Sequence, residues 1–233
     1  RMVKRGKKVV VRLKMGARDE GMVPSANVVA ELKGRTNPEE VVVIGGHLDS
    51  WDVGQGAHDD AAGCVMAMEA LTILRSMNLA PKRTIRVVLW TNEENGLQGG
   101  KTYAKDHGDE LDRHFGAIEA DSGGFAPDAF GLSMGNVERE ARAAEQLEEL
   151  LPLFAKIAPM RVKRGFAGAD ISPMKDSGVP LLGLRTEGSR YFDYHHTPAD
   201  TFDKVDPEDF SRSVAAMAAI AYILGEMPGK LGD

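Results

Sequence analysis

Five side chains of the kinds that bind transition metals occur at separate points of the chain, at the ends of predicted strands or in loops. They are His47, Asp59, Glu94, Asp121 and His196. Imidazole and carboxylate together suit zinc, cobalt or manganese better than calcium or magnesium. A rigid sheet can direct side chains at its strand ends toward a common point. The pattern therefore predicts a transition-metal site built from these five residues.

The charge of the predicted ligand set favours two cations over one. Three carboxylates in a partly dry cleft repel one another, whereas two divalent cations offset their charge. Such paired metals lie roughly 3.5–4 Å apart and share a carboxylate, and Asp59 is the predicted bridge. Metal-bound water has a pKa of about 7. We therefore predict a hydrolase in which a metal-bridging hydroxide is the nucleophile, with two Zn²⁺ as cofactors and Co²⁺ or Mn²⁺ as substitutes.

Two consecutive glutamates follow the apolar run in "VVLWTNEENG", and we predict different roles for them. Adjacent residues leaving a strand point to opposite sides, so Glu93 and Glu94 do not bind the same metal. We assign Glu94 to a metal and Glu93 to the catalytic general base. Asp49 lies two residues after His47 and is predicted to accept the second imidazole N–H. The alternative for Asp49 is an aspartate that stabilises a turn.

Runs rich in β-branched residues alternate with helical patterns, which is typical of an α/β fold. The predicted strands cover residues 8–15, 26–33, 41–46, 84–91, 115–120, 129–134 and 180–185. Two of them, 41–46 and 84–91, are apolar on both faces, as strands covered by helices should be. We predict a mixed, mostly parallel central β-sheet sandwiched between helices.

Helical spacing of apolar residues predicts which helix faces point to the core. One predicted stripe consists of Val65, Met68, Leu71 and Thr72, and a second of Phe210, Val214, Met217, Ala221 and Leu224. A third helix, rich in Glu and Ala, is predicted over residues 138–158.

Bulk properties restrict the classes of partner. With 233 residues, 25.2 kDa and no linker-like stretch, the chain is predicted to be one catalytic domain over residues 1–233. A formal charge of −6 argues against nucleic-acid and anionic-membrane partners, which need clustered Lys and Arg. No run approaches the roughly 18 apolar residues of a membrane span. A small or peptidic substrate fits better.

Four separated motifs carry a family resemblance. "GGHLDSWDVGQGAHDDAAG", "WTNEENGLQGG", "EADSGG" and "YHHTPADT" resemble, in order, motifs of the M28 family of zinc exopeptidases, and "HLDSWDVGQG" is most similar to its carboxypeptidase Q branch. The resemblance covers about residues 25–225. It implies the phosphorylase/hydrolase-like fold of zinc exopeptidases, a secreted or periplasmic enzyme that forms a homodimer, and hydrolysis of dipeptides or of the terminal bond of short peptides. Relatives carry a leading segment and an inserted protease-associated domain before the strand equivalent to 8–15, and the expectation is that this chain lacks both.

The resemblance also implies one role for each matched position and a cis peptide bond between Asp59 and Asp60. The implied roles are one zinc for His47 and Asp121, the other zinc for Glu94 and His196, the bridge for Asp59, and the general base for Glu93. Where some relatives have Tyr, this chain has His195, which either donates to the developing oxyanion or is merely packed.

Asp170 either binds a substrate amine or caps the following helix. The alternative functions are an inactive M28-like domain and a glutaminyl cyclase-like acyltransferase with one zinc.

Overall fold

The computed structural model describes residues 1–233, and all seven of its strands belong to one sheet. The strands are β1 (Val28–Leu32), β2 (Asn37–His47), β3 (Arg83–Trp90), β4 (His114–Glu119), β5 (Pro127–Ser133), β6 (Arg161–Arg164) and β7 (Leu181–Thr186). Their order across the sheet is β1-β3-β2-β4-β7-β5-β6. The pairs β2–β3, β2–β4, β4–β7 and β5–β6 are parallel, whereas β1–β3 and β5–β7 are antiparallel. The predicted fold class is confirmed.

Five helices accompany the sheet. They are α1 (Ala62–Ser76), α2 (Gln98–Asp106), α3 (Val137–Leu150), α4 (Tyr191–Tyr194) and α5 (Pro207–Glu226). The start of α5 is fixed by the Asp206 carboxylate, which accepts the backbone N–H groups of Glu208 and Asp209, and by Pro207, which needs no N–H partner in the first turn. No helix combines the length and the apolar character needed to cross a membrane.

The central strands are buried on both faces because the chain places an apolar layer on each side of the sheet. Val42 and Ile44 point into the larger layer, which includes residues of α1, α3 and α5. Val41 and Val43 point into a smaller layer that includes Tyr103 of α2. This alternation explains why the run at 41–46 is continuously apolar, as parallel strands between helices require.

Two of the predicted helix stripes had different outcomes. In α5 the stripe prediction is confirmed, since Val214, Met217, Ala221 and Leu224 are buried. In α1 the prediction is wrong, because Val65 is 41 % and Met68 is 50 % exposed. The buried face consists instead of Met66, Ala67, Ala70 and Leu74. This face joins the core cluster that α1 shares with α5 and the sheet.

Two predicted element boundaries also need correction. Residues 8–15 form no strand, and they are exposed throughout. The alternation of "KVVVRLKM" fits a strand, but no neighbouring strand pairs with it. The third helix ends at Leu150 rather than at residue 158, and a 3₁₀ turn over Leu151–Phe154 follows. Pro152 lacks the N–H that a longer α-helix would need there.

Candidate metal centre

Three parallel strands bring the first candidate ligands to one edge of the sheet. His47 ends β2 and pairs with Trp90, which ends β3. Glu119 ends β4 and pairs with Gly45 of β2. The loops that begin at these strand ends carry Glu94 and Asp121, so parallel register alone places these side chains beside His47.

Asp59 lies in the segment Ala57–Ala61 between β2 and α1, where the backbone of Asp59 and Asp60 is not helical. The Asp200 carboxylate fixes this segment by accepting the backbone N–H of His58 at 2.7 Å and that of Asp59 at 3.1 Å. The fully buried Asp60 carboxylate accepts the N–H groups of His47 and Gly63, both at 3.0 Å. The Asp59–Asp60 bond is cis, which confirms the expectation from the resemblance.

The five candidate ligands converge around the two oxygens of Asp59. His47 Nε2 lies 3.3 Å from Asp59 Oδ1 and 3.7 Å from Asp121 Oδ1. On the other side, His196 Nε2 lies 3.3 Å from Asp59 Oδ2 and 3.0 Å from Glu94 Oε2. Each Asp59 oxygen therefore faces a different histidine, as a carboxylate shared by two sites would.

Several ligand atoms lack any protein partner, which tests whether the residues fit a cation. His47 Nε2, Asp59 Oδ2, Glu94 Oε1 and Asp121 Oδ1 are buried and make no hydrogen bond. Buried polar atoms without partners are rare and expensive. Two ligands about 2.0–2.2 Å from a tetrahedral zinc lie about 3.3–3.6 Å apart, close to the distances above. Both observations fit a divalent cation.

The electrostatics of the cluster point the same way. Burial would lower the pKa of His47, but the Asp121 and Asp59 carboxylates raise it well above its ordinary value. A cluster that holds a proton this tightly has an excess of negative charge. Zinc and similar cations, for which imidazole and carboxylate are suitable ligands, would offset that excess.

Asp49 holds the loop of the two glutamates, not the imidazole. Its carboxylate accepts the backbone N–H of Glu93 at 2.9 Å and that of Glu94 at 3.2 Å. His47 Nδ1 lies 2.8 Å from the backbone oxygen of Asp49 but 3.9 Å from its Oδ1. The prediction that the Asp49 side chain accepts the imidazole N–H is therefore wrong. The structure agrees with the turn-stabilising alternative.

Glu93 is half-buried beside the ligand cluster. Burial raises the pKa of its carboxyl group to about 7, and the nearby Asp121 and Glu94 carboxylates add to the rise while His47 opposes it. A carboxyl group with this pKa takes up and releases a proton near neutral pH, which is the property that a general base needs.

His195 stands beside the cluster, stacked on the ring of His196. Its Nε2 lies 3.6 Å from Asp59 Oδ2, and its ring stacks on that of His196 with 3.6 Å between centroids and 21° between planes. An imidazole binds a metal in the plane of its ring. Two nearly parallel rings at this separation cannot both have one cation in their planes, so His195 remains available for another partner.

Asp170 does not cap the helix that follows it, so that prediction is wrong. The 3₁₀ segment Ser172–Ser177 has no side-chain cap, and Asp170 is fully buried with both carboxyl oxygens unpartnered. Glu119 holds the flanking backbone by accepting the N–H groups of Ala169 and Ile171. Burial raises the pKa of Asp170 to about 8. A group closed to solvent is also poorly placed to bind a substrate amine.

Sequence reasoning assigned no role to three residues that position the cluster. Trp51 donates its indole N–H to Glu94 Oε2 at 2.8 Å, and its ring lies 4.9 Å from that of His196. Asp60 and Asp200 hold the backbone around Asp59, as described above. All three occur in the quoted motifs, beside or near predicted ligands. The bond of Asp200 to His58 spans 142 positions, which local spacing does not reveal.

Comparison with known proteins identifies the family. The model of peptidase family M28 matches residues 27–221. The chain belongs to peptidase family M28. Carboxypeptidase Q of Rattus norvegicus is 40 % identical over 227 residues, which are 97 % of this chain and 47 % of that protein. This M28 chain thus spans about half the length of the curated relatives it matches.

Solved structures agree with this assignment. The crystal structure of a peptidase M28 precursor from Shewanella amazonensis has a TM-score of 0.86 and 40 % identity, and the match covers 99 % of this M28 chain and 51 % of that one. A zinc aminopeptidase from Bacillus subtilis has a TM-score of 0.68 at 18 % identity, covering 89 % of this chain and 52 % of that one. The second likeness shows the fold alone.

Proposed function

We propose that this chain forms the catalytic part of a zinc-dependent exopeptidase that hydrolyses dipeptides or the terminal peptide bond of short peptides. The observation that carries the proposal is the placement of the two Asp59 oxygens against two different histidines, His47 and His196. The family match and the likeness to carboxypeptidase Q support the reaction class.

In this proposal the five ligands divide into two sets that share Asp59. His47 and Asp121 would hold one zinc with Asp59, and Glu94 and His196 would hold the other with Asp59. Zinc bound there would polarise the scissile carbonyl and make water acidic enough to attack it near neutral pH. Trp51 keeps Glu94 in place through its indole N–H. The Asp60 and Asp200 carboxylates keep His47 and Asp59 in place through their backbone N–H groups.

Proton transfer and charge stabilisation fall to two residues of the chain. The Glu93 carboxylate takes a proton from the attacking water and delivers it to the leaving amine, because it lies beside the ligand cluster without being one of the ligands. His195 donates from its ring N–H to the negative charge that develops on the carbonyl oxygen. A well-placed donor of this kind contributes about 2–4 kcal/mol to the transition state.

An assay of the zinc-loaded chain tests the proposal. Wild type and Glu93→Gln are supplied with free dipeptides and with the same dipeptides blocked at the amino or the carboxyl end, with and without a chelator. We expect wild type to cleave free dipeptides and to lose this activity with the chelator. Glu93→Gln should bind the same two equivalents of zinc yet lose about 10²–10⁴-fold in turnover. Blocking each end in turn shows which terminus is recognised.

Glu69→Gln is the matched control, because Glu69 is an exposed glutamate on α1. It should retain wild-type turnover. A zinc-loaded wild type that cleaves no dipeptide would refute the proposal, and a zinc-loaded Glu93→Gln with full turnover would refute the assignment of the base. One bound zinc instead of two would refute the division of the ligands.

A further inference from the structure

Aromatic rings form a continuous surface beside the candidate metal centre. We call this surface the aromatic wall, and it consists of Trp51, Tyr191, Phe192, His195 and His196. The ring centroids of Trp51 and His196 are 4.9 Å apart, and His196 stacks on His195 at 3.6 Å. Beyond His195 lie Tyr191 at 4.9 Å and Phe192 at 5.5 Å. The wall thus runs outward from the ligands without a break.

The outer parts of the wall are open to solvent. Phe192 is 79 % exposed and Trp51 is 47 % exposed. Aromatic side chains are large apolar groups whose burial is favourable, so an open aromatic surface beside a ligand cluster is suited to binding an apolar group. The position of Phe192 is explained neither by the core nor by the candidate ligands, because it contacts His195 and Tyr191 from the solvent side.

Two contacts orient members of the wall. The indole N–H of Trp51 is bound to Glu94 Oε2 at 2.8 Å, which sets the orientation of that ring. Phe192 and Tyr191 lie on α4, and the two rings meet edge to face at 67° with their centroids 5.5 Å apart. Rigid aromatic surfaces bind flat partners well because little side-chain freedom is lost on binding.

We propose that the aromatic wall binds the side chain of the substrate residue next to the scissile bond, and that Phe192 gives the enzyme a preference for aromatic over aliphatic side chains. This inference rests on the proposed peptidase function. The substrate side chain would lie against the rings while the scissile bond lies at the candidate metal centre, which His195 and His196 adjoin. An aromatic side chain gains ring-to-ring contact that a leucine side chain of similar hydrophobicity does not.

The chain offers a matched control for Phe192. Phe202 is 81 % exposed, so its removal changes a similar amount of apolar surface. It lines a separate apolar hollow with Ala61, Val65 and Phe210, away from the aromatic wall. Neither phenylalanine is among the candidate ligands or the base, so both variants should bind zinc as wild type does.

The experiment measures kcat/KM for zinc-loaded wild type, Phe192→Ala, Phe192→Leu and Phe202→Ala. The substrates are Ala-Ala, Phe-Ala, Ala-Phe, Leu-Ala and Ala-Leu, so that each side of the scissile bond is varied in turn. For one of the two sides, wild type should favour Phe over Leu by about three- to tenfold, the size of an aromatic pair contact. Phe192→Ala and Phe192→Leu should both abolish this ratio while binding zinc as wild type does. Phe202→Ala should leave it intact.

The outcomes separate this inference from the proposed function. Cleavage of Ala-Ala together with equal rates for Phe and Leu substrates on both sides would overturn the inference and leave the peptidase proposal standing. A Phe preference that survives in Phe192→Ala, or one that Phe202→Ala removes as well, would also overturn it. Failure of wild type to cleave any of the five dipeptides would refute the proposed function itself.

Discussion

Replacing Asp49 by Ala tests how the loop of the two glutamates is held. The substitution removes the carboxylate that accepts the backbone N–H groups of Glu93 and Glu94 at 2.9 and 3.2 Å. It leaves the backbone oxygen of residue 49, which lies 2.8 Å from His47 Nδ1, so the imidazole keeps its contact. The variant should therefore disturb the loop of Glu93 and Glu94 without changing the contact of His47. If the Asp49 side chain held the imidazole, the same variant would disturb His47 as well.

The size of the effect follows from the two lost bonds. Each hydrogen bond to a charged group is worth about 1.5–3 kcal/mol, so both together are worth at most about 3–6 kcal/mol. The Asp49 side chain is 26 % exposed, so water recovers part of this. We expect the catalytic position of Glu93 to be destabilised by about 2–3 kcal/mol. A loss of this size corresponds to a fall in kcat of about 30- to 150-fold.

The assay compares Asp49→Ala and Asp49→Asn with Asp52→Asn, an exposed aspartate of the same loop. Asp49→Asn keeps one acceptor oxygen and should lose only about tenfold in kcat. Asp52→Asn should match wild type. Zinc affinity should weaken in Asp49→Ala mainly for the site of Glu94, since His47 is undisturbed. Wild-type kcat and zinc affinity in Asp49→Ala would refute the reasoning, as would a loss as severe in Asp49→Asn as in Asp49→Ala.

Three further predictions concern stability. The raised pKa values of Asp170 and Glu93, about 8 and about 7, mean that the folded metal-free protein holds protons that the unfolded chain releases near pH 4. Its free energy of unfolding should therefore fall by up to about 6 kcal/mol between pH 5 and 8, and Asp170→Asn should make that slope shallower in denaturant titrations. Zinc at 100 times its dissociation constant should stabilise the protein by about 2.7 kcal/mol per site, seen as a higher melting temperature that a chelator reverses. Gly63→Ala should cost more than about 2 kcal/mol in denaturant unfolding, because a Cβ at Gly63 would lie 1.8 Å from the Ala120 carbonyl oxygen, whereas Gly108→Ala meets no atom within 4 Å and should be nearly neutral.

Sequence reasoning could locate the site because of one property of parallel sheets. The runs at 41–46 and 84–91 are buried on both faces, so both must be central strands, and their carboxyl ends lie at one edge. Any metal-binding side chain directly after such a strand is then near the others. His47 and Glu94 follow from this rule, and Asp121 follows from it once the run at 115–120 is taken as a neighbouring strand. Asp59 and His196 lie farther from a strand end, so their place depended on residue type and on the family resemblance.

The errors have a common physical cause, which is that one-dimensional patterns do not show partners. Residues 8–15 alternate as a strand does, but a strand needs a neighbour to accept its hydrogen bonds, and none lies beside them. The apolar residues of α1 fit two faces of a helix, and close packing selects the face with Ala67 and Ala70. Asp49 has the right spacing to reach the imidazole, but its carboxylate instead accepts two backbone N–H groups from a loop that is distant in sequence.

The way the ligands are held bears on what zinc must do for this fold. The segments that carry His47 and Asp59 are fixed by carboxylates that accept backbone N–H groups, namely Asp60 and Asp200. These bonds need no metal, and the surrounding core is large. In small zinc-binding domains the metal provides the free energy of folding. In this chain the fold itself sets the ligand positions. We therefore expect the metal-free protein to fold, and zinc to bind to a site whose geometry is already formed.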